Sequence, residues 1–190
     1  MRNTRLLGFT KYTVIVLVLF TVAIICGSVS AGMIAGEEMD TLINYMKGFF
    51  DSVPTVSLGL ALSSLKKYGL IWLGVFVSGF LLPGFILNAY IVAERGYVIG
   101  YTVGGFLKVY GAKGVLACCS LLPELLFYIP VFVLFSSISL KMSFSRKDDK
   151  NNFLKKYILI SLIFLSVFCV VSFFQTFMTT TFMALISSKM

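Results

Sequence analysis

Few residues in this sequence could carry chemistry. The nearest thing to a constellation is Glu94-Arg95, an acid beside a base at the mouth of an apolar run. Behind the pair, Gly96, Gly100 and Gly104 recur at i, i+4 and i+8. A helix gathers such a set on one face, where the missing side chains let a second helix approach to backbone contact. In water each glycine would weaken a helix by about 1 kcal/mol against alanine. In lipid, where packing rather than hydrophobic expulsion joins helices, the same ladder makes a contact face. It reads first as a packing face between transmembrane helices, then as a dimer face, and last as part of a substrate path. Glu94 and Arg95 read as a structural pair at the inner membrane interface, or as part of a ligand or partner site. Glu124, directly after Pro123, fits the positive end of a helix that starts there. Its other readings are a proton or cation site and a partner contact.

Catalysis by the chain alone finds no support. There are no histidines, which removes the commonest general base and metal ligand. Neither a Ser-His pair nor a His-Glu-x-x-His zinc motif can therefore be built. Asp40, Asp51, Asp148 and Asp149 are all expected in loops or at the interface, so no aspartate dyad lies at membrane depth. No Gly-x-x-x-x-Gly-Lys-Ser/Thr loop occurs to cradle a nucleotide phosphate. Cys26, Cys118, Cys119 and Cys169 lie inside apolar runs without zinc-type spacing. The expectation is a protein that is not an enzyme and needs no cofactor or metal.

The elements that must position these residues are membrane helices. Of 190 residues, 58% are hydrophobic and 13% charged, with mean hydropathy +0.96. Soluble domains carry about twice that share of charge. The net charge of +8 reads as topology, with Lys and Arg held in cytoplasmic loops, and not as a nucleic-acid interface. Arg2, Arg5 and Lys11 precede a first span at 12–34, too long for a secretory signal core. An outer amphipathic segment follows at 36–66, with Glu37, Glu38 and Asp40 favouring its N-terminal end. Leu42, Met46, Phe49 and Val53 recur there at helical spacing. Further spans are expected at 68–92, 97–110, 123–140 and 157–178. Pro83-Gly84 should kink or break the second. The third, 97–110, is short for a hydrocarbon core of about 30 Å, and 114–122 would be a short, separate interfacial or re-entrant piece. Six Lys and Arg crowd the loop 141–156, which also touches anionic lipid. The fold expected is all-α: one polytopic bundle of about five transmembrane helices. Its N-terminus is cytoplasmic, its third span short or broken, and its amphipathic helix extracytoplasmic.

Taken in order, these residues resemble the stage II sporulation protein M family of bacterial membrane proteins. The resemblance covers essentially the whole chain. It rests most on Gly96-Tyr-Val-Ile-Gly-Tyr-Thr-Val-Gly-Gly-Phe-Leu107, followed by Leu122-Pro123-Glu124-Leu-Leu-Phe-Tyr-Ile-Pro130. The broader family often has a histidine and glycine after the first proline and a glutamate before the second. Here Glu124, Leu125 and Ile129 stand in those places, so no role is carried over from them. The resemblance implies a non-enzymatic membrane scaffold in endospore formation, in the mother-cell or septal membrane. It would localise two peptidoglycan-degrading partners, an amidase (stage II sporulation protein P) and a lytic transglycosylase (stage II sporulation protein D), for septal wall thinning and engulfment. Met46 and Phe49 would lie on the docking segment, and a homo-oligomer is compatible with the role. The alternative reading is a small transporter or permease subunit with a site near Glu124, since interrupted helices around a buried charge are how transporters build sites.

Overall fold

Glycine and proline punctuate an otherwise helical chain. The computed structural model describes residues 2–51, 58–81, 83–144 and 155–172, and leaves out the side chains of 1–10, 45–61, 113, 116, 117 and 119–124. The described residues form six helices and no strand. They are α1 (Arg2–Met33), α2 (Glu37–Asp51), α3 (Leu58–Ser78), α4 (Gly84–Tyr110) and α5 (Ala112–Ser143), with α6 at Lys155–Ser172. Gly36 at φ 66° separates α1 from α2, and Gly111 at φ 55° separates α4 from α5. Only glycine adopts such angles without a Cβ penalty. After Ser78 the chain doubles back into α4, with Gly84 N–H donating to the Leu81 carbonyl (3.1 Å). A Cβ on Gly84 would overlap the carbonyl of Ser78.

Several boundaries differ from those the sequence predicts: α3 begins at Leu58, inside the segment 36–66, and 68–92 is not one span but the end of α3 and the start of α4. The chain does not break between 92 and 97: α4 runs unbroken through Glu94 and Arg95, and the break falls wholly at Pro83. The 27 residues of α4 make about 40 Å of helix, so the element is neither short nor broken. Likewise 114–122 is not a separate piece but part of the beginning of α5, which starts at Ala112. Pro123 is therefore well inside a helix rather than at its first turn, and Glu124 has no helix N-terminus to complement. In lipid, neighbouring helices and local adjustment tolerate the backbone bonds that Pro123 and Pro130 cannot make.

α1 and α4 lie parallel. Gly96 faces Phe20, Gly100 faces Ile24, Gly104 faces Ser28, and Lys108 reaches Gly32, a constant offset of 76 residues. α3 and α5 are parallel to each other: the rings of Tyr68 and Tyr128 pack at a tilt with centroids 5.3 Å apart, and Ser78 meets Ser139 at 2.8 Å. α6 runs against α3, with Trp72 Nε1–H donating to Ser161 O (3.0 Å) and Tyr157 O–H to Phe76 O (3.0 Å). Phe20, Phe132, Phe135, Tyr128 and Phe168 fill the centre. One end of the bundle gathers Tyr12, Phe85 and Phe144; the other gathers Ile34, Leu42, Phe106 and Tyr110.

The outside is apolar. Val14, Ile15, Val18, Val22 and Ile25 on α1 are each more than half exposed, as are Leu159, Leu162, Ile163 and Val170 on α6. Such a belt needs lipid around it. Among the described residues three helices are long and apolar enough to cross a membrane: Lys11–Met33, Leu125–Ser143 and Lys155–Ser172. α4 carries Glu94-Arg95 at its centre, and α3 carries Lys66-Lys67 in its first half.

Candidate functional site

The glycine ladder is one half of a joint. A Cβ on Gly96 would come within 2.7 Å of the Phe20 carbonyl oxygen, and one on Gly104 within 2.9 Å of that of Ser28. At Gly100 it would overlap the backbone of Ile24. The opposing face of α1 is also small. Ala23 and Ala31 are buried, and a Cβ on Gly27 would strike the Tyr97 carbonyl. Ala23, Gly27 and Ala31 repeat at i, i+4 and i+8, the same spacing as the ladder itself. Sequence reasoning missed this second stripe, although its period was the signal that would have found it. Ser28 Oγ–H seals the joint by donating to the Gly100 carbonyl at 3.0 Å. Because α1 occupies the ladder, that face is not open to a second molecule.

Lys108 closes the same joint at the C-terminal end of α1. Its ammonium donates to the carbonyls of Gly32 and Ile34, where α1 ends. A cation there satisfies acceptors that the helix leaves unpaired and complements its negative end. Lys108→Met should therefore fray the α1–α2 turn more than it destabilises the bundle. The expected change is about 1 kcal/mol or less globally, with clearly faster protease nicking near Gly36. Unchanged nicking would show that the cap is dispensable.

The charge pair sits elsewhere than the sequence predicts. Gly96 lies against Phe20 and Ala23, midway along the apolar segment Lys11–Met33. By the same register Glu94 and Arg95 lie level with Val18 and Leu19, inside the apolar segment of α1 rather than beside its basic end. Arg95 Nε is 3.1 Å from Glu94 Oε2, yet that nitrogen is buried without a hydrogen bond. Residues next to each other on a helix project about 100° apart, so the two charges meet without alignment.

A second polar cluster fills the α3–α4 break. Ser139 Oγ–H donates to Val75 O at 2.7 Å. Asn88 Nδ2–H donates to Ser136 O at 3.1 Å and more weakly to Ser78 Oγ at 3.4 Å. Ser143 Oγ–H reaches Leu81 O at 3.1 Å. Of these, Ser139 satisfies a carbonyl in the last turn of α3, as does Tyr157, whose O–H donates to Phe76 O and whose ring stacks on Phe76 at 5.5 Å. Tyr157→Phe keeps the stack and removes only the O–H, so its expected cost is about 1 kcal/mol, read as a lower thermal midpoint in detergent. A midpoint equal to that of the parent chain would assign Tyr157 to packing alone.

At the end where α1 stops, Leu42 of α2 is buried against Phe106 of α4, and Met39 packs on the same group. Glu37, Glu38 and Asp40 face outward there. The side chains of Met46 and Phe49 lie outside the described residues, as do those of Pro123 and Glu124; Pro130 is exposed on α5. The structure does not bring Glu94 and the α2 segment together: they are separated by the C-terminal half of α4. Among the described residues no group of three or more His, Cys, Asp or Glu is placed to hold a metal ion.

Comparison with known proteins adds one finding. The family model described as stage II sporulation protein M matches residues 16–180, from the middle of α1 through α6. No curated protein and no solved structure matches the chain.

Proposed function

We propose, given that the chain belongs to the stage II sporulation protein M family, that it is a five-span scaffold acting on the cell wall through partners rather than by chemistry of its own. That it is a sporulation-related membrane protein follows from the family and from its apolar helices. The finer reading has α1, α3, α4, α5 and α6 each crossing once. The N-terminus and the loop 141–156 then lie in the cytoplasm, where Lys and Arg belong, and α2 lies on the wall side. The partners are a peptidoglycan amidase and a lytic transglycosylase, the stage II sporulation proteins P and D, gathered at the mother-cell or septal membrane for engulfment.

The observation that carries the reading is α2. It is an amphipathic helix anchored by Leu42 to Phe106, at the end of the bundle remote from the basic N-terminus, with Glu37, Glu38 and Asp40 exposed. An apolar anchor beneath and an acidic surface above make a fixed platform rather than a loose loop. The permease alternative draws no such support, because Phe20, Phe132, Phe135 and Phe168 occupy the centre of the described bundle.

The test is affinity capture of the tagged chain from sporulating cells, comparing the parent with Glu37→Lys/Glu38→Lys/Asp40→Lys and with deletion of 37–50. Both hydrolases should accompany the parent and fall about tenfold or more in the triple variant, with insertion unchanged. Equal recovery from the parent and both variants would remove α2 as the platform. Capture of a transport ATPase or a solute-binding protein without a hydrolase would replace the scaffold reading with the permease one.

A further inference from the structure

The outward stripe of α3 is apolar except near its centre. Leu62, Leu70, Leu73 and Val77 are exposed, and Lys66 stands exposed among them. The positions 62, 66, 70, 73 and 77 follow helical spacing, on the side opposite the buried Tyr68, Ile71 and Val75. The packing of α3 on α4 gives the height of the lysine. Gly74 opposes Ile91 and Ser78 opposes Asn88 in this antiparallel pair. By the same register Lys66 is level with Ile99, and through the offset of 76 with Ala23 of α1. Ala23 is at least about 15 Å of helix from either end of the apolar segment Lys11–Met33. α3 has not left the bundle there, because Tyr68, two residues on, packs against Tyr128. With α1 across the membrane, Lys66 faces acyl chains, farther from water than a lysine stem can snorkel. Ionisable groups at that depth pair with one another or face a polar lining. Among the described residues no carboxylate lies within ion-pair distance of Lys66. A groove of about 480 Å³ opens beside it, lined by Leu62, Ser63, Leu65 and Lys66 itself.

We propose that this stripe seats a membrane helix of another protein, apolar except for one carboxylate at mid-span that pairs with Lys66. Charge and depth together select the occupant. A lipid phosphate lies outside the hydrocarbon layer and does not come down to the level of Ala23. A second copy of this chain, joined two-fold along the stripe, would set Lys66 against Lys66. An apolar helix without an acid would cover the ammonium and leave it unpaired. A carboxylate at the same height satisfies the lysine, and the acid gains equally, since neither ion is otherwise solvated there. The groove takes an apolar side chain of the visiting helix next to the ion pair, which fixes its register. The contact goes beyond the scaffold reading, with which it shares only the crossing of α3. It lies on a different helix from the α2 platform and needs no wall hydrolase.

The test co-reconstitutes the full chain in phosphatidylcholine vesicles with a fluorescent polyleucine helix of about 20 residues carrying one central glutamate. Benzoylphenylalanine in place of Leu70, one turn from Lys66, should give an adduct of chain and peptide on illumination. That adduct should be about tenfold stronger than with a central leucine. Lys66→Met should remove the preference, and Lys66→Glu should transfer it to a peptide with a central lysine. The same photoprobe in place of Leu162, exposed on α6, should show no preference. Equal adducts with the glutamate and leucine peptides, or a preference equally strong at 162, would overturn the proposal. So would a preference that survives Lys66→Met or does not follow the charge swap. An adduct of two chains stronger than the peptide adduct would assign the stripe to a second copy and overturn it too. Labelling of Leu70→Cys by a membrane-impermeant maleimide, above that of the parent chain, would sink the crossing of α3 along with the contact.

Discussion

Gly100→Leu is expected to disrupt this protein more than any other single change to the glycine ladder. The added Cβ overlaps the backbone of Ile24, and a carbonyl held in a helix cannot rotate aside as a flexible side chain would. α1 and α4 must move apart, which loosens Ala23 and Ala31 and breaks the bond from Ser28 to the Gly100 carbonyl. Overpacking of this kind costs about 3 kcal/mol, which for a chain of this size lowers the thermal midpoint by roughly 6–12 °C. Gly69→Leu is the matched control, because nothing lies within 4 Å of a Cβ at that position of α3. Heating both variants in detergent and following the soluble fraction by size exclusion reads the difference. Equal midpoints would mean that α1 does not lie on the ladder.

Asn88→Asp is the second large effect, and it isolates hydrogen bonding from shape. Asn88 is 1% exposed and uses its amide N–H groups, donating to Ser136 O and Ser78 Oγ. An ionised aspartate of nearly the same size can donate neither bond and would turn a carboxylate oxygen toward a carbonyl. The chain must either bury an unpaired charge or take up a proton, and both are unfavourable. The expected loss is about 3 kcal/mol at neutral pH. It should diminish as the medium is acidified, because the protonated acid regains a donor. Asn88→Leu should fall between the two, losing about 1–2 kcal/mol with no charge involved. The check is the order of thermal midpoints: parent above Leu above Asp. A midpoint for Asp at or above that of Leu would show that water, not Ser136, is the partner of residue 88.

Much of the architecture could be read from residues, and the failures have physical causes. The period of Gly96, Gly100 and Gly104 pointed to a close helix contact, and Pro83-Gly84 to a break. The acidic turn at Glu37, Glu38 and Asp40 with Leu42 beneath it pointed to the amphipathic α2. Reasoning went astray at Glu94-Arg95, because charges are costly in lipid and a boundary between two spans was the cheaper local explanation. Tertiary context reversed that choice: an acid and a base side by side offset each other within one continuous helix. Pro123 misled in the same way. A proline favours a first turn, but Gly111 supplies a sharper turn upstream, and the helix that starts there runs on through the proline. The small stripe Ala23, Gly27 and Ala31 went unread because the valines, leucines and isoleucines around it already accounted for a span. Which surface of α4 faces outward depends on where α1, α3 and α5 sit, and no local pattern carries that.

The parallel register of α1 and α4 has a consequence for how the protein is made. Contacts such as Lys108 to Gly32 join residues 76 positions apart, and the hairpin of α3 and the first half of α4 must be laid down in between. At about 5–20 residues per second, α1 waits roughly 4–15 s in the bilayer before its complementary surface emerges from the ribosome. During that interval Ala23, Gly27 and Ala31 lie bare to lipid or to an insertion factor. An apolar helix whose sticky side is nearly smooth gives a passing stranger little to hold, so the newborn segment can wait without being captured by the wrong companion.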